Sequence, residues 1–122
     1  MFDLSVAADF SSAHFLRNYN GPCENLHGHT WKVEIVISSP TLNEIGLVVD
    51  FREVKEKFHA FLNTLDHVCL NDLPYFKENN PSTENLARYI YEAFLGPDGP
   101  YRVKQVRVWE SDSCSVTYSP DS

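Results

Sequence analysis

The sequence predicts an α+β fold, a four-stranded antiparallel sheet with two helices on one face, in the order ββααββ. Three observations predict it. Apolar residues alternate with polar ones over residues 2–10 and 27–38, recur at helical spacing over 51–65 and again after Pro81, and alternate once more in two short runs around residues 111–113.

In the first strand Phe2, Leu4, Val6, Ala8 and Phe10 hold the even positions, and Asp3, Ser5 and Asp9 hold odd ones. His14 keeps the even parity unless a bulge at Ser11-Ser12 breaks it. Residues 17–25 contain Asn18, Asn20, Gly21 and Pro22, a loop composition. In the second strand Trp31, Val33, Ile35 and Ile37 are apolar on odd positions, and His27 and His29 share that parity, so both imidazoles sit at one end of the buried face.

Residues 40–46 read as a turn. Asp50 is an N-cap, with Glu53 in capping-box position, for a helix over 51–65 whose stripe is Phe51, Val54, Phe58, Phe61, Leu62 and Leu65. That helix delivers Asp66-His67 into a loop over 68–80. Pro81-Ser82-Thr83-Glu84 opens the second helix, with Leu86, Ile90, Ala93 and Phe94 on one face and Gly96-Pro97 as its stop. In the third strand Val106, Val108 and Glu110 share a parity and Trp109 takes the other. The last strand carries Cys114, Val116 and Tyr118.

A chain of 122 residues, 43% hydrophobic and 13% aromatic, fits a single domain over 1–122 with a core of its own. Its formal charge of −7 argues against nucleic-acid and anionic-membrane surfaces, which need a positive field. An anionic substrate then requires locally supplied positive charge, such as a metal ion. Three cysteines cannot all pair within one chain, and no signal-peptide pattern opens it, so reduced thiols in the cytoplasm are expected. No apolar run approaches the roughly 20 residues of a membrane span.

The stretch Cys23-Glu24-Asn25-Leu26-His27-Gly28-His29 concentrates the chemistry. His14, His27 and His29 are three imidazoles able to hold a zinc ion with a fourth position open, and Gly28 between two of them is expected to relieve crowding around a shared ion. Cys23 reads as a fourth ligand, as a thiolate beside the metal, or as a buried thiol. Cys69 and Cys114 fall on apolar faces and read as packing residues, and His59 as a solvated helix side chain. Asp66-His67 reads either as a charged helix end or as a carboxylate-oriented proton-transfer group. Glu110, on a core parity, must be satisfied by an arginine or by a ligand with paired N–H donors, such as a 2-amino-4-oxo pyrimidine ring.

These motifs, taken in order, resemble those of 6-pyruvoyltetrahydropterin synthase and its bacterial relative 6-carboxytetrahydropterin synthase. The likeness runs through the His14 strand, Cys23 to His29, Leu65-Asp66-His67, Pro81 to Asn85 and Trp109-Glu110-Ser111, nearly the whole chain. The resemblance implies the tunnelling fold, in which three subunits share a barrel, two trimers stack into a homohexamer, and active sites lie at subunit interfaces. It further implies zinc on His14, His27 and His29, Cys23 as the proton-abstracting base, Asp66 and His67 as its partners, and Glu110, Thr83 and Glu84 as substrate-binding residues. The implied substrate is 7,8-dihydroneopterin triphosphate.

The three-residue gap between Cys23 and His27 is similar to that of the bacterial enzyme of queuosine and deazapurine biosynthesis, whose product is 6-carboxy-5,6,7,8-tetrahydropterin, with acetaldehyde and triphosphate released. The Tyr118 region and Trp109-Glu110-Ser111-Asp112 resemble the animal pyruvoyl type equally well. Glu24 resembles the glutamate that replaces the cysteine in a subgroup making 6-hydroxymethyl-7,8-dihydropterin for folate, so Glu24 is either an idle loop carboxylate or a second catalytic group. A pterin- or metal-binding module without turnover is the non-enzymatic alternative.

Overall fold

The computed structural model describes residues 1–95 and 101–120. Strands β1 (Phe2–His14), β2 (His27–Ser39), β3 (Val103–Ser111) and β4 (Cys114–Tyr118) form one antiparallel sheet in the order β1-β2-β3-β4. Between β2 and β3 lie α1 (Phe51–Leu62), α2 (Pro74–Glu78) and α3 (Thr83–Ile90), which continues into a π-helical turn over Tyr91–Leu95. The expected α+β order holds, with the short α2 added inside what the sequence reads as a loop.

Ser11-Ser12 carries no bulge. β1 and β2 pair without a register shift from Phe2 opposite Ser39 to His14 opposite His27, so the even parity of β1 survives to its last residue. The buried face takes Val6, Phe10, Ser12 and His14 from β1, Trp31, Val33 and Ile35 from β2, and Val106 and Val108 from β3. A register shift against β3 at Val36 and Ile37 breaks the alternation there, and both residues are buried.

Asp50 caps α1 by accepting from the Arg52 N–H at 2.8 Å, while Glu53 faces Lys57 at 3.4 Å. The helix buries Val54, Phe58 and Leu62. It ends at Leu62, short of the expected residue 65, and Leu65 reaches the core from the turn that follows. Phe51, expected on the apolar stripe, is instead 53% exposed. Ser82 caps α3 by accepting from Asn85 N–H at 3.1 Å, and the helix buries Leu86, Ala87 and Ile90. The π turn after Ile90 shifts the helical phase, so Ala93 faces solvent while Phe94 stays packed against Phe58 and Phe61. Gly96-Pro97, the expected stop, lies outside the described residues.

The segment after α1 docks on the outer edge of β1. The His67 N–H donates to Ser11 O at 2.6 Å and Ala13 N–H donates to Val68 O at 3.0 Å, while Asp66 Oδ1 accepts from Ser11 N–H at 2.8 Å. Beyond that, the β1 edge toward Phe2 and the outer edge of β4 have no strand partner among the described residues. Among these residues no helix is long and apolar enough to cross a membrane.

Candidate metal and active site

The β1–β2 ladder brings His14, His27 and His29 together, because His14 sits opposite His27 and His29 follows two residues along on the same face. Their ring centroids are 4.6 to 5.1 Å apart, and one ligand atom from each falls within 4.8 Å of the others. Trp31 closes the floor, edge-on to His14 at 4.9 Å and to His29 at 5.1 Å.

Two backbone carbonyls set the tautomers. His14 Nδ1 lies 2.7 Å from Pro81 O and His27 Nδ1 2.6 Å from Asn25 O. A carbonyl only accepts, so each Nδ1 carries the proton and each Nε2 keeps its lone pair for a cation. Nε2 of His14 and of His29 is buried without a hydrogen-bond partner. Burial first, and the neighbouring imidazoles after it, lower the pKa of His14. Burial likewise lowers that of His29, against the opposing pull of Glu110. The unpartnered nitrogens of His14 and His29 fit a dication, and with His27 beside them the three histidines can hold a metal ion.

Gly28 does not serve as the sequence suggested. Alternation turns it to the opposite face, and a Cβ there would meet only Ser12 O, at an ordinary 3.7 Å. Gly28→Ala is therefore expected to leave metal stoichiometry and affinity unchanged, as checked by competition with a chromophoric chelator.

Cys23 sits half-buried in a 3-10 turn, Pro22–Glu24, between β1 and β2. Its carbonyl accepts from Leu16 N–H at 2.8 Å, tying the turn to the chain just after His14. Gly21 before it lacks a side chain where a Cβ would come 2.8 Å from the Tyr19 ring. Cys23 is not part of the metal-capable group among the described residues, and Glu24 beside it is exposed. Cys114, expected in an apolar face, is exposed, because β4 is the outer strand and its first residue adjoins the turn. Cys69 is half-buried, 3.8 Å from Asn71 Oδ1, and His59 is exposed as anticipated.

Asp66 and His67 form a hydrogen-bonded pair at 2.7 Å on the β1 edge. The Ser11 N–H, and then His67, hold the Asp66 carboxyl below the usual carboxylate range. His67 adopts a left-handed backbone, φ 56°, uncommon for a residue with a side chain. With His29, Ser11, Ser12 and Cys69 it lines a cleft of about 580 Å³ that does not include Cys23. Among the described residues no hydrogen bond joins the pair to the Cys23 thiol.

Glu110 lies in a bulge, where the β3–β4 register shifts between Trp109 and Ser111. Its Oε2 accepts from the buried Thr83 hydroxyl at 2.9 Å and its Oε1 is 3.8 Å from His29 Nε2. Among the described residues no arginine pairs with it. One carboxylate oxygen thus stays open for a ligand beside the imidazoles, on the same sheet face. Glu84 is exposed on the next position of α3 and has no side-chain hydrogen bond among the described residues.

Sequence reasoning missed the supports. Asn71 bonds both the N–H and the carbonyl of Phe15 at 3.0 Å, and Asn80 does the same for Arg17 at 2.8 and 2.9 Å. These side chains act as backbone surrogates that fix the chain beyond His14 and bring the Pro81 carbonyl to its ring.

A model of the family described as 6-pyruvoyl tetrahydropterin synthase matches residues 3–121. The chain is 34% identical to the 6-carboxy-5,6,7,8-tetrahydropterin synthase of Bacillus subtilis, over 98% of this chain and 86% of that one. It is 32% identical to the dihydroneopterin monophosphate aldolase of Pyrococcus furiosus, over 89% and 90%. In fold it is similar to the 6-pyruvoyl tetrahydropterin synthase of Caenorhabditis elegans, with a TM-score of 0.85 at 24% identity over 98% of this chain and 96% of that one.

Proposed function

Since the chain belongs to the 6-pyruvoyl tetrahydropterin synthase family of pterin-processing lyases, we propose that it converts 7,8-dihydroneopterin triphosphate and water to 6-carboxy-5,6,7,8-tetrahydropterin, with acetaldehyde and triphosphate released. The observation that carries this reading is the convergence of three imidazoles on the sheet face that also presents Glu110. His14, His27 and His29 would hold zinc, which supplies Lewis acidity toward the substrate's side-chain oxygens.

The chain's own groups do the rest. Cys23 takes the proton from the carbon beside the hydroxyl-bearing centre, and Asp66-His67 receives and returns protons as a carboxylate-oriented pair. As no hydrogen bond joins thiol and pair among the described residues, a neighbouring subunit supplies the pair, in a homohexamer of two stacked trimers that also closes the unpaired edges of β1 and β4. Glu110, held through one oxygen by Thr83, accepts from the pterin ring N–H groups with the other. Glu84, exposed, is at most a peripheral contact. The single-domain enzyme works in the cytoplasm, on the route to queuosine and related deazapurines.

Two results test this reading. Metal-loaded protein given 7,8-dihydroneopterin triphosphate should yield a product of the mass of 6-carboxytetrahydropterin, with matching acetaldehyde. A pyruvoyl product would instead select the animal-type branch. Glu110→Ala should weaken pterin binding at least about tenfold, the worth of one charge-assisted hydrogen bond, and leave metal binding unchanged. Equal pterin affinity would remove Glu110 from the site.

A second reading rests on Glu24. It is exposed in the same turn as Cys23, and the Pyrococcus relative carries an aldolase name. On that reading Glu24 supports a further activity that makes 6-hydroxymethyl-7,8-dihydropterin, which Glu24→Gln should abolish while the carboxy product persists.

A further inference from the structure

Four side chains form a square on the helix-facing surface at the end of the β1–β2 ladder. His14 pairs with His27 and Ser12 pairs with His29, and alternation puts all four on the buried face. Three corners are imidazoles; the fourth is a hydroxyl.

That hydroxyl is unexplained by packing. Ser12 is 6% exposed and its Oγ has no hydrogen-bond partner, although buried polar atoms in folded proteins are ordinarily satisfied. Five buried side-chain polar atoms lack partners among the described residues, and four of them belong to Ser12, His14, His29 and Trp31. The two imidazole nitrogens of that group are accounted for by a cation. Ser12 Oγ and Trp31 Nε1 remain; the indole lies edge-on to the imidazoles as their floor, whereas Ser12 stands opposite His29 in the ladder and lines the cleft that His29 also lines.

We propose that Ser12 is a further substrate-binding residue, whose hydroxyl hydrogen-bonds a side-chain hydroxyl of the pterin and so selects pterins that carry a hydroxylated side chain. The proposal rests on the pterin reading above. Ser12 suits the role because a hydroxyl both donates and accepts, and so pairs with an alcohol whichever way the alcohol's own proton points.

The test uses the full-length zinc-loaded protein and two fluorescent ligands, neopterin with its trihydroxypropyl chain and unsubstituted pterin without one. Ser12→Ala should weaken neopterin binding about tenfold, as expected for one lost hydrogen bond. Pterin affinity and the zinc content should not change. If Ser12→Ala binds both ligands as the wild type does, Ser12 has no binding role and the proposal is overturned, with the pterin reading intact. If both affinities fall together, or zinc is lost, Ser12 supports the site only structurally and the proposal is again overturned. If the wild type binds neither ligand, the pterin reading itself fails and takes this proposal with it.

Discussion

Cys23→Ala should lower turnover by about 10²–10⁴-fold, the usual scale of a lost proton-transfer group, while zinc content stays near one ion per chain. The residue's placement separates these two effects. Cys23 belongs to a 3-10 turn outside both strands, and it is absent from the group of ligand atoms that converge on one point. On the proposed reading a thiol need not be a ligand to act, since a dication held near it would favour the thiolate. Alanine in place of a half-buried side chain in a surface turn removes little packing, so the loss should appear in the rate and not in the thermal midpoint. Zinc analysis beside a rate assay checks both. Loss of zinc along with the thiol would make Cys23 a structural ligand and leave the site without its base.

His14→Ala should produce the other large effect, loss of bound metal together with loss of turnover. His14 is the most deeply buried of the three imidazoles, 2% exposed, and its ring touches both other histidines and Trp31. Its removal takes one of three ligands and leaves the Pro81 carbonyl without its donor. Losing only a group that hydrogen-bonds a metal-bound side chain commonly costs about 10- to 100-fold in metal affinity, so losing a ligand should cost more than about 100-fold. The orphaned carbonyl adds a stability loss of about 1–3 kcal/mol. Metal affinity by chelator competition and a thermal melt report the two separately. Retention of wild-type metal affinity would show that His14 is no ligand.

Much of this site is readable from side-chain parity. The even positions of β1 and the odd positions of β2 predict a shared face for His14, His27 and His29, and the unbroken ladder delivers it. The parity of Val106 and Val108 likewise predicts that Glu110 faces the core side, where it lies near His29. Caps at Asp50 and Ser82 are also written in residue type, because each needs a side-chain oxygen at the right step.

What parity cannot reach is set by backbone atoms and by length. The carbonyls of Pro81 and Asn25 orient two imidazoles, yet any residue supplies a carbonyl, so no signature marks them. Helix α2 spans five residues, too few to show a helical period, with only Pro74 at its first turn as a sign. The docking of residues 66–69 on β1 depends on an edge left open by the strand order, which local pattern does not encode. Gly28 invited a steric role beside the ion, whereas the same alternation that unites its neighbours turns it away.

The central claim is that the three imidazoles hold a metal on which pterin chemistry depends. Its most direct test is the turnover of 7,8-dihydroneopterin triphosphate by protein stripped of metal with a chelator and then titrated with zinc. The account predicts no product from the stripped protein and recovery that saturates at one zinc per chain. Full turnover without metal, or titration by zinc with no return of product, would contradict it.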